Sequence, residues 1–177
     1  VPGGGNMFLV DAAGRHPKIK TIATHNEQSA VISAEAYSRM TKNIGVALVT
    51  TGPGGTNAVT GIAGAWLDSI PLLVISGQVK IDDINFDNKL RQKGPQEINI
   101  VEIVKPITKK ATLLKNSDLL FDTLSEIILL AKTGRPGPVL LDVPLDIQSK
   151  KIDFDMNSIS EQNNFDKKTS GVNYEKV

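Results

Sequence analysis

The chain has 177 residues, 40% of them apolar, which suits one domain with a short extension. Its 20 Lys and Arg against 19 Asp and Glu leave a net charge of +1, with no basic run for nucleic acid and no acidic tail. Cys is absent, which excludes disulfides, a thiol nucleophile and a Cys-ligated metal, and His16 and His25 are too few for the usual imidazole site. No apolar run approaches the ~20 residues of a membrane span, and the chain reads as cytoplasmic.

Residues 1–5 read as the turn after a strand. The sequence opens in mid-motif, so a first strand is expected before Val1 and the chain is expected to be a fragment. Residues 6–13 suit a short helix with Asn6 as N-cap. Residues 19–23 (IKTIA) read as a strand. Residues 26–40 read as an amphipathic helix with Ala30, Val31, Ala34 and Tyr37 on one stripe. Residues 46–49 are a short apolar strand, followed by a glycine-rich turn at 50–57 and a helix at 58–68. In that helix Gly61 and Gly64 should allow close packing on the sheet, and Trp66 should join Ile62 and Ala65 in the core.

Residues 72–75, behind Pro71, have the continuous apolar character of a parallel strand covered on both faces. Residues 80–97 are polar, aperiodic and long for a connection, which marks a functional loop. A short helix at 98–104 and a strand within 107–114 follow. Residues 118–131 read as a helix with Leu119, Leu120, Leu124, Ile127, Ile128 and Ala131 on its apolar side. A turn at 134–138 leads to a last strand at 139–143. From Lys150 the composition turns to Asn, Ser, Lys and Asp, as in a linker or tail. Alternating strands and helices imply an α/β fold. About five visible strands should form a doubly wound, mostly parallel sheet with helices on both faces.

The strand, glycine turn and helix at 45–68 place backbone N–H groups and a helix N-terminus at the C-terminal edge of the sheet, where open α/β sheets bind ligands. The turn is Thr50-Thr51-Gly52-Pro53-Gly54-Gly55-Thr56-Asn57. It is not a Walker A loop, because no Gly-Lys-Ser/Thr follows. It is not a dinucleotide fingerprint either, because Asn57 stands at the third glycine position. Upstream, Glu27 shares a helical face with Ala30, Val31 and Ala34 at i, i+3, i+4, i+7, so its carboxyl heads an inward stripe. A carboxyl so placed can share a proton with a ligand nitrogen. The competing reading is a capping box, Thr24-His25-Asn26-Glu27, in which the Glu only satisfies backbone N–H groups. The residues alone favour the box.

Five segments in order carry a resemblance. They are Val1-Pro2-Gly3-Gly4, then His25-Asn26-Glu27-Gln28 before an Ala-rich helix, then Thr51-Gly52-Pro53-Gly54-Gly55-Thr56-Asn57. Residues 68–78 (DSIPLLVISGQ) and the pair Gly134-Arg135-Pro136-Gly137-Pro138-Val139 and Asp142-Val143-Pro144 complete the set. Over roughly residues 1–148 the chain resembles the N-terminal, pyrimidine-binding domain of thiamine-diphosphate enzymes of the acetolactate synthase type. The resemblance implies a three-layer, flavodoxin-like domain at 1–149 and a linker or tail at 150–177 towards a middle domain. It implies that Glu27 hydrogen-bonds N1′ of the cofactor's aminopyrimidine and drives the proton transfers that activate the cofactor, reversing the preference for the capping box. It places Gly3, Gly4, Gly52, Pro53 and Asn57 around the cofactor and Gln96 near the reacting centre.

The run Lys93-Gly94-Pro95-Gln96-Glu97 departs from the family's usual Asp-Ala-Phe-Gln-Glu pattern and leaves the 2-oxoacid donor and the acceptor unnamed. The family's Gly-Asp-Gly segment, which holds Mg²⁺ and the diphosphate, does not occur in this sequence. The resemblance therefore implies half of an active site, completed by the diphosphate-binding domain of a second subunit in a homodimer or homotetramer. Mg²⁺ is expected through that domain, and FAD is left open. Alone, the chain is expected to be inactive. Two other readings are a separately encoded subunit of a two-chain decarboxylase and a non-catalytic flavodoxin-like interaction module.

Overall fold

The computed structural model describes residues 1–87 and 89–152. Four strands form one sheet: β1 (Gly45–Val49), β2 (Leu72–Gln78), β3 (Lys110–Leu113) and β4 (Pro138–Pro144). Their order is β1-β2-β4-β3 and every pairing is parallel. In the register, Val49 lies opposite Ser76, Ser76 opposite Asp142, and Leu113 opposite Asp142. Every residue of β4 is buried, Asp142 included, as in a strand covered on both sides.

One face carries α2 (Glu27–Thr41), α4 (Val59–Leu67) and α5 (Ile100–Val104). There Val31, Ala34, Ile62, Ala65, Ile100 and Val104 pack with Ala47, Val49, Leu72, Val74 and Leu140. On the other, α6 (Leu120–Lys132) sets Ile127 and Ala131 against Leu73, Val139, Leu141 and Val143. Leu9 of α1 (Met7–Arg15) and Ile147 of α7 (Leu145–Gln148) join this second cluster. The fold is thus the expected three-layer, doubly wound α/β domain. Among the described residues no helix is long and apolar enough to cross a membrane.

Several elements differ from the sequence reading. Residues 19–23 are exposed coil, with Ile22 77% accessible. A strand needs a hydrogen-bonded neighbour, and no described strand lies beside this segment. On α2 the inward stripe is Glu27, Val31, Ala34 and Ser38, while Tyr37 is exposed. The Ser38 hydroxyl donates to Pro71 O at 2.8 Å, which ties the helix to the start of β2. Trp66 is 39% exposed rather than core, and Leu119 precedes α6 and is exposed.

Gly61 serves helix–helix packing rather than the sheet, since a Cβ there would lie 2.6 Å from Val31 Cγ1. A Cβ on Gly64 would meet open space. Lys109 and Lys110 are not simply solvated. Lys109 Nζ donates to Thr133 O at 2.5 Å and partial burial lowers its pKa, while Lys110 pairs with Glu126. The tail from Lys150 lies almost wholly outside the described residues.

Candidate functional site at the glycine turn

β1 ends at Val49, and the chain turns at once into α3 (Pro53–Asn57), with Pro53 at its first position, where the missing N–H costs nothing. Gly52 makes the turn possible. Its φ of +63° is open to glycine, and a Cβ there would overlap the carbonyl oxygen of Gln96. The loop bearing Gln96 is therefore seated directly on the glycine turn. Gln96 itself is exposed and held at φ +60°, a left-handed conformation that is uncommon away from glycine.

Glu27 opens α2. The helix is capped by the preceding residue, whose Asn26 Oδ1 accepts from Ser29 N at 2.8 Å. Thr24 instead donates its hydroxyl to Asn26 O. Glu27 thus stands at the first helical position and not at the third position of a capping box, and the box reading falls. Its side chain crosses to the glycine turn: Asn57 Nδ2 donates to Glu27 Oε2 at 2.9 Å. The residue is 9% exposed. Its other oxygen, Oε1, lies 3.5 Å from where a Cβ on Gly54 would stand.

The turn at 1–5 closes the group from the N-terminal side. The Val1 amino group donates to Leu48 O at 3.0 Å, and burial lowers its pKa while the nearby Glu27 carboxylate pulls the other way. Gly5 N donates to Thr50 Oγ1 at 3.2 Å, and a Cβ on Gly3 would lie 2.6 Å from Thr50 Cβ. Gly4 is exposed and faces open space. Asn6 is fully buried. Its side chain accepts from Gly3 N at 2.9 Å and donates to Val1 O at 3.1 Å, so it shapes this turn instead of capping α1.

Of the residues singled out from the sequence, Gly3, Glu27, Gly52, Pro53, Asn57 and Gln96 converge at one sheet edge. His25 is exposed and makes no hydrogen bond to the group. Thr50 and Asn6 were missed. Thr50 could have been found from its place between the last strand residue and the turn, whereas Asn6 gave only a capping signal. A cavity of about 480 Å³ at residues 84–93, lined by Ile84, Phe86, Leu90 and Lys93 among others, shares no residue with this group. No group of three or more His, Asp or Glu able to hold a metal ion occurs among the described residues.

Residues 1–103 match the family described as thiamine pyrophosphate enzyme, N-terminal TPP binding domain. The chain is 43% identical over 149 residues to an acetolactate synthase large subunit of Buchnera aphidicola subsp. Schizaphis graminum, covering 84% of this chain and 25% of that protein. It is 42% identical over 146 residues to the acetolactate synthase isozyme 3 large subunit of Escherichia coli K12, covering 82% and 24%. It is 42% identical over 149 residues to the chloroplastic acetolactate synthase 3 of Brassica napus, covering 84% and 22%. The chain thus spans about a quarter of the length of these relatives. It belongs to the thiamine pyrophosphate enzyme family, as an acetolactate-synthase-like N-terminal TPP-binding domain.

Proposed function

We propose that this domain, with bounds at 1–149, holds the pyrimidine half of thiamine diphosphate in a 2-oxoacid decarboxylase or carboligase of the acetolactate synthase type, and that Glu27 is its proton-handling residue. The observation that carries the reading is the Asn57–Glu27 hydrogen bond, which fixes a buried carboxyl beneath the glycine turn.

The residues present fit the group. An aminopyrimidine needs a carboxyl at one ring nitrogen and a close backbone approach to its flat face. Glu27 supplies the first, and Gly4, where an added Cβ would meet only open space, leaves backbone free for the second. Thiamine diphosphate, when bound, supplies the electron sink for cleaving a 2-oxoacid and joining its remainder to a second carbonyl compound.

The chain's own work is orientation and proton transfer. Asn57 donates to Oε2, which leaves Oε1 as the oxygen that would hold or release a proton beside a ring nitrogen of the bound group. Burial under the turn excludes water and strengthens that hydrogen bond. Pro53 stiffens the turn, and the Gln96 carbonyl abuts Gly52; on this reading the Gln96 side chain serves the substrate side. The diphosphate and Mg²⁺ are held by another domain, in a partner subunit of a dimer or tetramer, and residues from Lys150 lead towards a further domain.

The test is Glu27→Gln in the full-length protein. Gln keeps the shape and removes the exchangeable proton. The expected result is a folded enzyme whose 2-oxoacid turnover falls by ~100-fold or more, the usual scale of a lost general acid–base group. Unchanged turnover overturns the role of Glu27.

A further inference from the structure

A second polar cluster lies on the α2/α5 face of the sheet and takes no part in the site above. Asp142 on β4 is 1% exposed, with Ser76 (1%) and Gln78 (3%) beside it on β2. The Gln78 side chain is fixed at both ends. Its Oε1 accepts from Val79 N at 2.9 Å, so its amide nitrogen must point the other way. That nitrogen donates to Asp142 Oδ2 at 2.9 Å and to Ile98 O at 3.0 Å. Ile98 lies two residues after Gln96, whose carbonyl rests on Gly52. Asp142 Oδ1 is buried with no hydrogen-bond partner.

We propose that Gln78 and Asp142 form a buried clasp that positions the 94–98 segment, and with it Gln96, on the glycine turn, and that the clasp loosens when Asp142 loses its proton. The clasp itself needs only the geometry above; the role it gives Gln96 rests on the function proposed for the site. Both are positioning residues acting through Ile98.

The proton dependence follows from the surroundings. On this face β1 presents Val49, β3 presents Leu113, and α5 presents Ile100 and Val104, all apolar. The charged groups of the neighbouring elements are engaged elsewhere. Glu97 accepts from Asn85 N and Lys93 N, Glu102 pairs with Lys105, Lys110 pairs with Glu126, and Asp146 accepts from Ile81 N. Among the described residues no cation offsets a carboxylate at Asp142. Burial pushes its pKa up to about 7, against the opposing hydrogen bonding of Gln78 and Ser76. Lifting the 94–98 segment removes one of the two acceptors that hold Gln78 and admits water to the carboxylate. Ionisation strengthens the bond from Gln78, but the cost of holding the carboxylate away from water is the larger of the two effects, so an ionised Asp142 favours the open segment.

Hydrogen exchange of the chain tests this, read at the Glu97 and Ile100 amides, which bond to Gly94 O and Ile98 O, from pH 5 to 8 and corrected for intrinsic rates. In the wild type the opening constant should rise about tenfold per pH unit up to pH 7 and then level off, because one proton is released on opening. Asp142→Asn keeps an acceptor for Gln78 but cannot ionise, so it should stay closed and flat across the range. Gln78→Met should open the segment at every pH. A wild type that tracks Asp142→Asn overturns the proposal, as does Gln78→Met with unchanged protection. If Gln78→Met fails to fold, the Asp142→Asn comparison decides alone. The measurement needs no cofactor. A negative Glu27→Gln result would remove the catalytic reading and leave the clasp, and a negative exchange result would do the reverse.

Discussion

At the scale of single residues, the site depends on atoms that are missing as much as on atoms present. Gly52 is the sharpest case, because its positive φ and the Gln96 carbonyl each exclude a Cβ. Gly52→Ala must therefore either twist the turn or displace the Gln96 loop. We expect it to cost about 1–3 kcal/mol, the usual scale for a strained backbone position, read as a lower urea midpoint at unchanged slope. A fully neutral substitution would mean that the loop is not seated on the turn. Glu27 is the opposite case, a polar group whose placement is decided by one partner. As the first residue of α2 it also lies where the helix dipole favours negative charge.

At the scale of elements, Asp142 shows what register does to a side chain. Its strand places it opposite Ser76 on one side and Leu113 on the other, in the middle of the sheet and 1% exposed. The folded state binds a proton there between pH 3.8 and about 7 that the unfolded chain releases, so this contribution to stability is complete below pH 3.8 and is lost as pH rises through about 7. Relative to Asp142→Asn, the wild type should lose stability from pH 4 to 7, by an amount on the order of 4 kcal/mol at most, and then run parallel. Urea unfolding of both proteins at pH 4, 5.5, 7 and 8 measures it, and parallel curves throughout would refute it.

The same element explains which features could be read from the sequence. β1, β2 and β4 were legible because short, largely apolar runs follow turn residues, although Val46 leaves one face of β1 partly open and Asp142 interrupts the run of β4. The glycine turn was legible because only glycine and proline punctuate a chain so sharply. Residues 19–23 have strand chemistry but no described neighbour to pair with, and pairing is not a local property. Helical periodicity admits either Tyr37 or Ser38 beside Ala34; the hydroxyl bond from Ser38 to Pro71 O accompanies the inward choice of Ser38, and apolar character alone had pointed to Tyr37. The burial of Asp142 was illegible for the same reason: it exists only once three strands are aligned.

At the scale of the whole molecule, the question is how much of a cofactor this domain can hold by itself. The site offers one carboxyl and the open backbone of Gly4, with no group of three or more metal-ligating side chains among the described residues. One hydrogen bond to a charged group contributes about 1.5–3 kcal/mol. Association costs ~4–15 kcal/mol in lost translational and rotational freedom. The polyanionic diphosphate gains nothing here, since the groups around Glu27 carry no cation beyond the partly buried amino group of Val1. The balance predicts that the 177-residue chain binds thiamine diphosphate with Kd no tighter than about 1 mM, with or without Mg²⁺. Added Mg²⁺ should leave the isotherm unchanged, because no group of three or more metal-ligating side chains occurs among the described residues. Titration calorimetry on the chain, run in both conditions, is the check. Micromolar binding, or binding that appears only with Mg²⁺, would mean that this domain carries diphosphate contacts of its own and that the site is not divided between two domains.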